Sequence, residues 1–199
     1  MFIDPRLRRA REVRKSYSER SVARSKPMIN KKSETAGLSK LAIESGMIDP
    51  KIIRVKDIVL GEWVRWKCKY GCPDYGMWLS CPPFSPTPTE TRALFREYKR
   101  ALLFRMKPDK GKMKSLANLE RRIFLEGHPK ALAFSGGSCN LCKVCNVQSR
   151  TCRKPEIARP SMEACGIDVF ETVRRVGYQI SILKDRNSKF TYFGMVLID

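Results

Sequence analysis

The chain contains a single histidine among its 199 residues, and this scarcity excludes several kinds of site. A catalytic Ser/His/Asp constellation needs a histidine beside the nucleophile, and a zinc finger of the Cys2His2 type needs two. His128 stands directly before Pro129, at the predicted end of a helix. It is better explained as a solvated helix-end residue than as a catalytic base or a metal ligand.

Long apolar runs and phosphate-binding motifs are also missing from the chain. No run of about 18 apolar residues is present, so no membrane span is expected, and the N-terminus has no apolar signal core. The segment Ser135-Gly136-Gly137-Ser138 lacks the lysine and the length of a P-loop, and no G-x-G-x-x-G fingerprint occurs. We therefore expect a cytoplasmic protein.

Acidic residues are few: the chain has 20 of them and 40 basic residues, which gives a formal net charge of +20. This charge favours nucleic acid, acidic proteins or anionic small molecules without choosing among them. Residues 1–36 are rich in arginine, and their thin apolar stripe cannot offset about 1–2 kcal/mol of backbone ordering per residue. We expect residues 1–36 to be a flexible basic arm, with or without a binding role, and residues 37–199 to form one cysteine-rich domain.

Residues 37–199 alternate between helical and strand patterns. Helices are predicted near residues 38–46, 88–100, 113–126 and 169–176, and strands near residues 52–55, 58–60, 63–66, 101–106, 130–134, 178–182 and 190–198. The last two strands are predicted to pair as a hairpin. This order indicates an α+β fold (mixed α/β) with one sheet, flanking helices and two cysteine-rich loops at strand ends.

Two helix starts carry explicit capping signals. Thr87 suits the N-cap, Pro88 suits the first helical position, and Glu90 completes a capping box. Asp168 and Glu171 have the same spacing before an apolar stretch. Both helices are therefore predicted to begin directly after these N-cap residues.

The most specific signal in the sequence is its eight cysteines, which fall into two groups. The first group has C-x3-C-x8-C spacing and contains Cys68, Cys72 and Cys81. The second has C-x2-C-x2-C-x6-C-x12-C spacing and contains Cys139, Cys142, Cys145, Cys152 and Cys165. Because nothing directs the chain to an oxidising compartment, these residues are predicted to be metal and cofactor ligands rather than disulfides.

Iron–sulfur clusters fit this spacing better than zinc does. Bacterial-type ferredoxins use C-x2-C-x2-C with a remote fourth cysteine, and eight soft thiolates make two sets of four, enough for two [4Fe–4S] clusters. Structural zinc usually takes two C-x2-C pairs or cysteine–histidine pairs, and this chain has no second C-x2-C pair. Zinc stays open as the alternative cofactor.

The spacing leaves open which cysteines share a centre. In a local arrangement Cys152 completes the knuckle formed by residues 139–145, and Cys165 crosses to the first group. In an exchanged arrangement Cys152 and Cys165 trade these positions. A third possibility leaves one cluster with three protein ligands, and its open iron could polarise a substrate as a Lewis acid.

No catalytic residue can be assigned from the sequence, although polar residues lie near the cysteines. Four of them could move protons: Asp74, Tyr75, Glu163 and Asp168. Asp168 is better explained as a helix cap, and Glu163 could face Arg159 across a helical turn. Four basic residues around Cys152 could offset an anionic cluster or bind an anionic partner: Arg150, Arg153, Lys154 and Arg159.

Four cysteine-bearing motifs together resemble a known family. They are Cys68-Lys-Tyr-Gly-Cys72-Pro, Trp78-Leu-Ser-Cys81-Pro-Pro-Phe-Ser-Pro-Thr-Pro, Cys139-Asn-Leu-Cys142-Lys-Val-Cys145 and Ala158-Arg-Pro-Ser-Met-Glu-Ala-Cys165-Gly-Ile-Asp-Val. The sequence resembles the cysteine-rich "predicted metal-binding protein" family of unknown function, found in anaerobic archaea and bacteria. The resemblance runs from about residue 38 to the C-terminus, includes all eight cysteines and implies metal binding without a substrate.

We interpret the sequence as an iron–sulfur protein with two [4Fe–4S] clusters. It would pass electrons to a redox or acidic protein partner, or serve as an accessory factor in anaerobic metabolism. One alternative is a cluster-dependent enzyme with an open iron site. Another is a zinc-stapled module that binds nucleic acid through the basic arm, residues 1–36.

Overall fold

A four-stranded antiparallel sheet lies at the centre of the computed structural model, which describes residues 31–182, 185 and 190–199. Its strands are β1 (Ile48–Arg54), β2 (Arg100–Met106), β3 (Leu132–Phe134) and β4 (Tyr192–Leu197). The order across the sheet is β1-β2-β4-β3, and every neighbouring pair is antiparallel. The strand nearest the C-terminus thus lies inside the sheet, between β2 and β3.

Five α-helices surround this sheet in the described part of the chain. They are α1 (Lys31–Glu44), α2 (Glu62–Gly71), α3 (Pro88–Phe95), α4 (Lys112–Leu125) and α5 (Val169–Arg175). None of these helices is long and apolar enough to span a membrane. One sheet with flanking helices confirms the predicted α+β class.

Both capping signals have the role expected of them. The Thr87 hydroxyl accepts the Glu90 N–H at 3.2 Å, and the Glu90 carboxylate accepts the Thr87 N–H at 2.7 Å, which completes the predicted capping box of α3. The Asp168 carboxylate accepts the Glu171 N–H at 3.0 Å and caps α5. Helix α3 ends at Phe95, earlier than predicted, so that β2 can begin at Arg100.

Strand β2 is buried on both faces and separates two hydrophobic cores. Leu102 and Phe104 join one core, which also contains side chains of α1 and α4. Ala101 and Leu103 join the other core with side chains of α3, α5 and the segment around Cys165. The period-two alternation of a strand therefore assigns helices α1 and α4 to one face and the cysteine-bearing segments to the other.

Two of the predicted strands are wrong. Residues 62–71 form helix α2, with Val64 buried and Trp63 and Trp66 exposed, because a short apolar run fits either a helix or a strand. Residues 58–60 contribute only an isolated bridge between Leu60 and Ile167. The first cysteine group therefore follows a helix, and only the second lies beyond a strand end, after β3.

The predicted C-terminal hairpin is also wrong. Residues 178–182 form no strand. Tyr178 packs edge-on against Phe193, and its hydroxyl donates to the Leu103 carbonyl at 3.1 Å. Strand β4 pairs with β2 and β3 instead. The turn predicted at residues 185–188 lies outside the described residues, except for Asp185.

The predicted basic arm, residues 1–36, falls mostly outside the described residues, which begin at Lys31. Helix α1 begins six residues before Gly37, where the folded domain was expected to start. Residues 35–199 form one compact unit. The folding and any binding role of residues 1–30 stay predictions.

Gly194 in β4 offers a test of the packing between the sheet and its cores. A methyl group at this position would lie 2.4 Å from Met106 Sδ and 3.0 Å from Phe104 Cε2. We expect Gly194→Ala to lower the free energy of unfolding by about 1–3 kcal/mol, because the core must rearrange. Gly37→Ala in α1, with nothing within 4 Å of the added methyl, should raise it by about 0.5–1 kcal/mol. Urea denaturation measures both changes, and equal shifts would contradict the packing argument.

Candidate metal centre

Cys68 and Cys72 owe their relative position to helix α2. Cys68 lies within the last turn of the helix, and Cys72 is its C-cap residue, with its N–H donated to the Cys68 carbonyl at 3.3 Å. Residues four apart lie on the same helix face, so C-x3-C spacing brings both side chains to one side. This spacing is the sequence signal that could have identified the helix.

The loop that follows turns Cys81 inward. The Cys81 carbonyl accepts the N–H groups of Phe84 and Ser85, both at 3.0 Å, and the Gly76 N–H donates to the Pro82 carbonyl at 2.8 Å. Gly76 has φ of +73°, a conformation that residues with a side chain rarely adopt. These bonds close the loop over Cys81, which is only 7 % exposed.

Arg65 joins three segments of the first cysteine group. Its Nη1 lies 2.8 Å from the Pro86 carbonyl, 3.0 Å from the Ala164 carbonyl and 3.1 Å from Ser85 Oγ. Ser85 Oγ in turn donates to the Ala164 carbonyl at 2.8 Å. Arg65 thus ties α2 both to the loop after Cys81 and to the residue before Cys165. Nothing in the sequence distinguishes it from the other basic residues.

Cys165 is completely buried and belongs to the core beneath the first group. Burial raises the pKa of its thiol to about 12, while the positive charge of Arg65 and a hydrogen bond with Thr91 oppose this shift. Cys81 is close enough to interact electrostatically with Cys165. Cys165 therefore lies near the first cysteine group, where the local arrangement expects it. Which cysteines share a centre stays a prediction.

Burial also raises the pKa of two thiols of the first group, Cys81 and Cys68. Burial raises the pKa of Cys81 to about 12, with smaller contributions from Asp74, Cys72 and Cys68. Burial likewise raises the pKa of Cys68, and the neighbouring Cys72 and Glu163 add to it. These shifts follow because a buried site disfavours the charged thiolate.

The second cysteine group begins five residues after β3 and is built of turns. Burial raises the pKa of Cys139, and three neighbouring thiols raise it further, namely Cys152, Cys145 and Cys142. Cys152 is therefore a close neighbour of the knuckle, residues 139–145. The four thiols lie together without help from a regular helix or strand.

Basic side chains fold the segment after Cys152 back onto the knuckle. Lys154 Nζ donates to the Leu141 carbonyl at 3.0 Å, and Arg153 Nη1 donates to the Val144 carbonyl at 3.2 Å. The Lys154 N–H also lies 3.4 Å from Cys152 Sγ. These contacts bring positive charge to the knuckle while satisfying its carbonyl oxygens.

Arg159 pairs with Glu120 and not with Glu163, the partner that the sequence suggested. It forms a bidentate ion pair with Glu120 of α4, at 2.6 and 2.8 Å, and both side chains are largely buried. The suggested contact between Arg159 and Glu163 is wrong. The ion pair with Glu120 anchors the segment that leads to Cys165 to helix α4. The charge of Arg159 is therefore already paired.

The two cysteine groups meet along one border. The Ser138 hydroxyl, next to Cys139, donates to the Asp74 carboxylate in the first loop. The Leu79 N–H, two residues before Cys81, lies 3.4 Å from Cys145 Sγ. Asp74 also accepts the Trp78 indole N–H at 3.3 Å, so the contacts of Asp74 are structural.

Two ionisable side chains, Lys112 and Glu163, lie between the groups. Lys112 is 6 % exposed, donates to the Gly136 carbonyl at 2.8 Å and lies 4.0 Å from the ring centroid of Tyr192. Burial lowers the pKa of Lys112, opposed by Glu163 and by Cys139. Burial raises the pKa of Glu163, whose Oε2 is buried with no hydrogen-bond partner. Sequence reasoning missed Lys112, since no pattern marks it as buried.

The eight thiols fit a sulfur-ligated metal by donor type and by grouping. All eight are free cysteines, and the sulfurs of Cys145 and Cys152 lie within reach of backbone N–H groups, a kind of contact that tunes iron–sulfur centres. Within the described residues, which include every cysteine, no three Cys, His, Asp or Glu side chains converge closely enough to hold a metal ion. The thiols are neighbours that would have to draw together on binding.

Arg65 provides a test of how the first group is held. We expect Arg65→Met to lower the free energy of unfolding by about 1.5–3 kcal/mol, because Ser85 Oγ and the Ala164 carbonyl, whose bonds to Arg65 are half-buried, lose a charged donor. Arg92→Met, at an exposed position of α3, should change it by less than about 0.5 kcal/mol. Chemical denaturation of both variants measures the two changes in free energy. Similar changes would contradict the role of Arg65 in holding the three segments together.

Comparison with known proteins agrees with this site. Residues 51–198 match the family described as "Predicted metal-binding protein (DUF2284)", a match that takes in both cysteine groups. No curated protein and no solved structure matches the chain. The family match confirms the resemblance seen in the four cysteine motifs and covers most of the chain. The chain therefore belongs to this family of predicted metal-binding proteins.

Proposed function

We propose that the chain is an iron–sulfur protein with two centres, which transfers electrons or acts as an accessory factor in anaerobic metabolism. One observation carries the proposal, the grouping of eight thiols into two adjoining sets of four. The first set is Cys68, Cys72, Cys81 and Cys165, and the second is Cys139, Cys142, Cys145 and Cys152. Four thiolates are the usual ligand set of a [4Fe–4S] cluster.

The surroundings of the thiols support anionic centres at these two places. A [4Fe–4S] cluster supplies one-electron redox chemistry at potentials between about −700 and +450 mV. Arg65 lies beside Cys165, and Lys112 interacts with both Cys81 and Cys139. Each cation would offset negative charge on the thiolates, so each would help to hold an anionic centre.

The charge of the chain supports an acidic protein as the redox partner. A net charge of +20 accelerates association with an acidic surface, and salt weakens this effect. Eight unpaired thiols suit a reducing compartment, which is the basis for proposing the cytoplasm. Binding of nucleic acid through residues 1–36 belongs to the zinc alternative.

A second function, that of a cluster-dependent enzyme with an open iron site, is favoured by one observation. Cys68 and Cys72 line a groove of about 1070 Å³, and Cys72 is exposed. A metal centre at these residues would be accessible to a small molecule, as Lewis-acid chemistry requires. Full metal content after Cys72→Ser would support this function, and loss of one centre would contradict it.

Metal analysis after anaerobic purification of the full chain tests the proposed cofactor. We expect visible absorption of the iron–sulfur type, with about eight iron and eight sulfide per chain, because two [4Fe–4S] clusters contain that many. A colourless protein with stoichiometric zinc would contradict both iron-based functions. That result would favour the zinc-stapled module.

Paired cysteine substitutions test which thiols share a centre. Cys142→Ser with Cys152→Ser changes two residues of one proposed set, and about half of the iron should remain. Cys142→Ser with Cys165→Ser changes both sets, and nearly all of the iron should be lost. Met77→Ala, an exposed sulfur-bearing residue in the first loop, is the control and should keep full iron content. The reverse pattern between the two pairs would establish the exchanged arrangement.

The raised thiol pKa values predict how metal affinity depends on pH. In the metal-free chain the pKa of Cys81 and of Cys165 is about 12, so both thiols are protonated at neutral pH. Metal binding must then release these protons, and the apparent affinity for Zn²⁺ should rise with pH, by up to about tenfold per pH unit for each proton. Competition with a chromophoric chelator at several pH values measures this trend. A pH-independent affinity would contradict it.

A further inference from the structure

A groove of about 1070 Å³ runs between α2, α5 and the start of β4. Sites for small molecules commonly measure about 300–1,000 Å³, so this groove could hold a ligand of cofactor size. Its aromatic walls include Trp63, Trp66, Tyr70, Phe170 and Tyr192. The two proposed metal centres use only thiol ligands, so they do not explain why the groove has so many aromatic side chains.

Helix α2 presents three of these rings to solvent on one face. Trp63, Trp66 and Tyr70 are 49 %, 62 % and 70 % exposed, at helical spacings of three and four residues. The rings of Trp66 and Tyr70 are stacked, with centroids 5.8 Å apart. The core contact of the helix is made by Val64 instead. A flat apolar surface of this kind suits stacking by a planar ring.

Four acidic or basic side chains of the described residues line the groove. Lys67 and Arg105 line it, and so do Glu163 and Asp168. Asp168 is occupied as the cap of α5, and Arg105 donates to the Gln179 carbonyl at 3.2 Å. Lys67 and Glu163 are less occupied, since the Lys67 ammonium lies 5.1 Å from the Trp63 ring centroid and Glu163 Oε2 has no hydrogen-bond partner. Because Lys67 is the one lining cation without a hydrogen bond to a backbone carbonyl among the described contacts, the groove favours a small ligand with one anionic group over a polyanion such as nucleic acid.

We propose that the groove binds a planar N-heterocycle with a phosphate tail, of the flavin mononucleotide class. The ring stacks on the aromatic face of α2 at Trp66, the phosphate pairs with Lys67, and a ring N–H donates to Glu163. The bound ring shares a wall with Cys68 and Cys72. Binding does not depend on which metal the thiols hold, so the metal analysis and this proposal can fail separately.

Fluorescence titration of the full-length protein tests the proposal with flavin mononucleotide, and riboflavin serves as the matched ring without phosphate. Stacking on tryptophan quenches flavin fluorescence. We expect flavin mononucleotide to bind about tenfold more tightly than riboflavin, because only it offers a charged hydrogen-bond acceptor to Lys67. Added salt should reduce this difference. Absence of saturable binding by flavin mononucleotide, or equal affinity for riboflavin, overturns the proposal.

Two pairs of variants locate the binding surface. Trp66→Ala should weaken binding roughly tenfold, whereas Phe124→Ala, at an exposed aromatic residue of α4 outside the groove, should leave it unchanged. Lys67→Met should remove the preference for the phosphate, whereas Lys69→Met, which is on the same helix but does not line the groove, should keep it. Equal effects within either pair overturn the proposal. Metal content and the urea midpoint of each variant confirm that the fold is intact.

The contact with Glu163 can be tested without changing the protein. The 3-methyl derivative of flavin mononucleotide lacks the ring N–H while keeping the ring and the phosphate. We expect it to bind roughly tenfold more weakly, because Glu163 Oε2 would again have no partner. Equal binding of the methylated and unmethylated ligands overturns the assignment of Glu163.

Discussion

Burial of strand β2 on both faces is the constraint on which the rest of the structure depends. The side chains from Ala101 to Phe104 are completely buried, so each face of the sheet must be covered. Helices α1 and α4 cover one face, and the opposite face takes α3, α5 and the segment around Cys165. Because Cys165 belongs to that second core, the candidate metal centre is continuous with the hydrophobic interior rather than attached to its surface.

The burial of Cys81 and Cys165 disfavours their thiolate forms, which are the forms that bind a metal. Burial raises the pKa of Cys81 and Cys165 to about 12, and burial lowers the pKa of Lys112. Two cations lie near these thiols. Arg65 is half-buried and donates to the Ala164 carbonyl beside Cys165, and Lys112 is buried and interacts with Glu163. Thiolates formed on binding of a metal would interact favourably with both cations.

The features of the fold that depend on residues close together along the chain were predictable from the sequence. The caps at Thr87 and Asp168 involve contacts only three residues apart, and the apolar run of β2 reflects its two-sided burial. The strand predicted at residues 63–66 was wrong because tryptophan and valine suit strands as well as helices. The hairpin was wrong because β4 pairs with strands far away along the chain, and no local pattern encodes that choice.

The sequence by itself determined the donor chemistry of the site: eight cysteines in two groups, almost no histidine and the motifs of a metal-binding family. Only the tertiary structure decided which thiols are neighbours. The steps from Cys145 to Cys152 and from Cys152 to Cys165 are long enough that chain length alone allows either cysteine to serve either group. Lys154 bonds the Leu141 carbonyl and holds the segment of Cys152 near the knuckle, and Arg65 bonds the Ala164 carbonyl beside Cys165. The spacing of the cysteines cannot identify these two contacts, because each contact depends on how separate segments of the chain pack together in the fold.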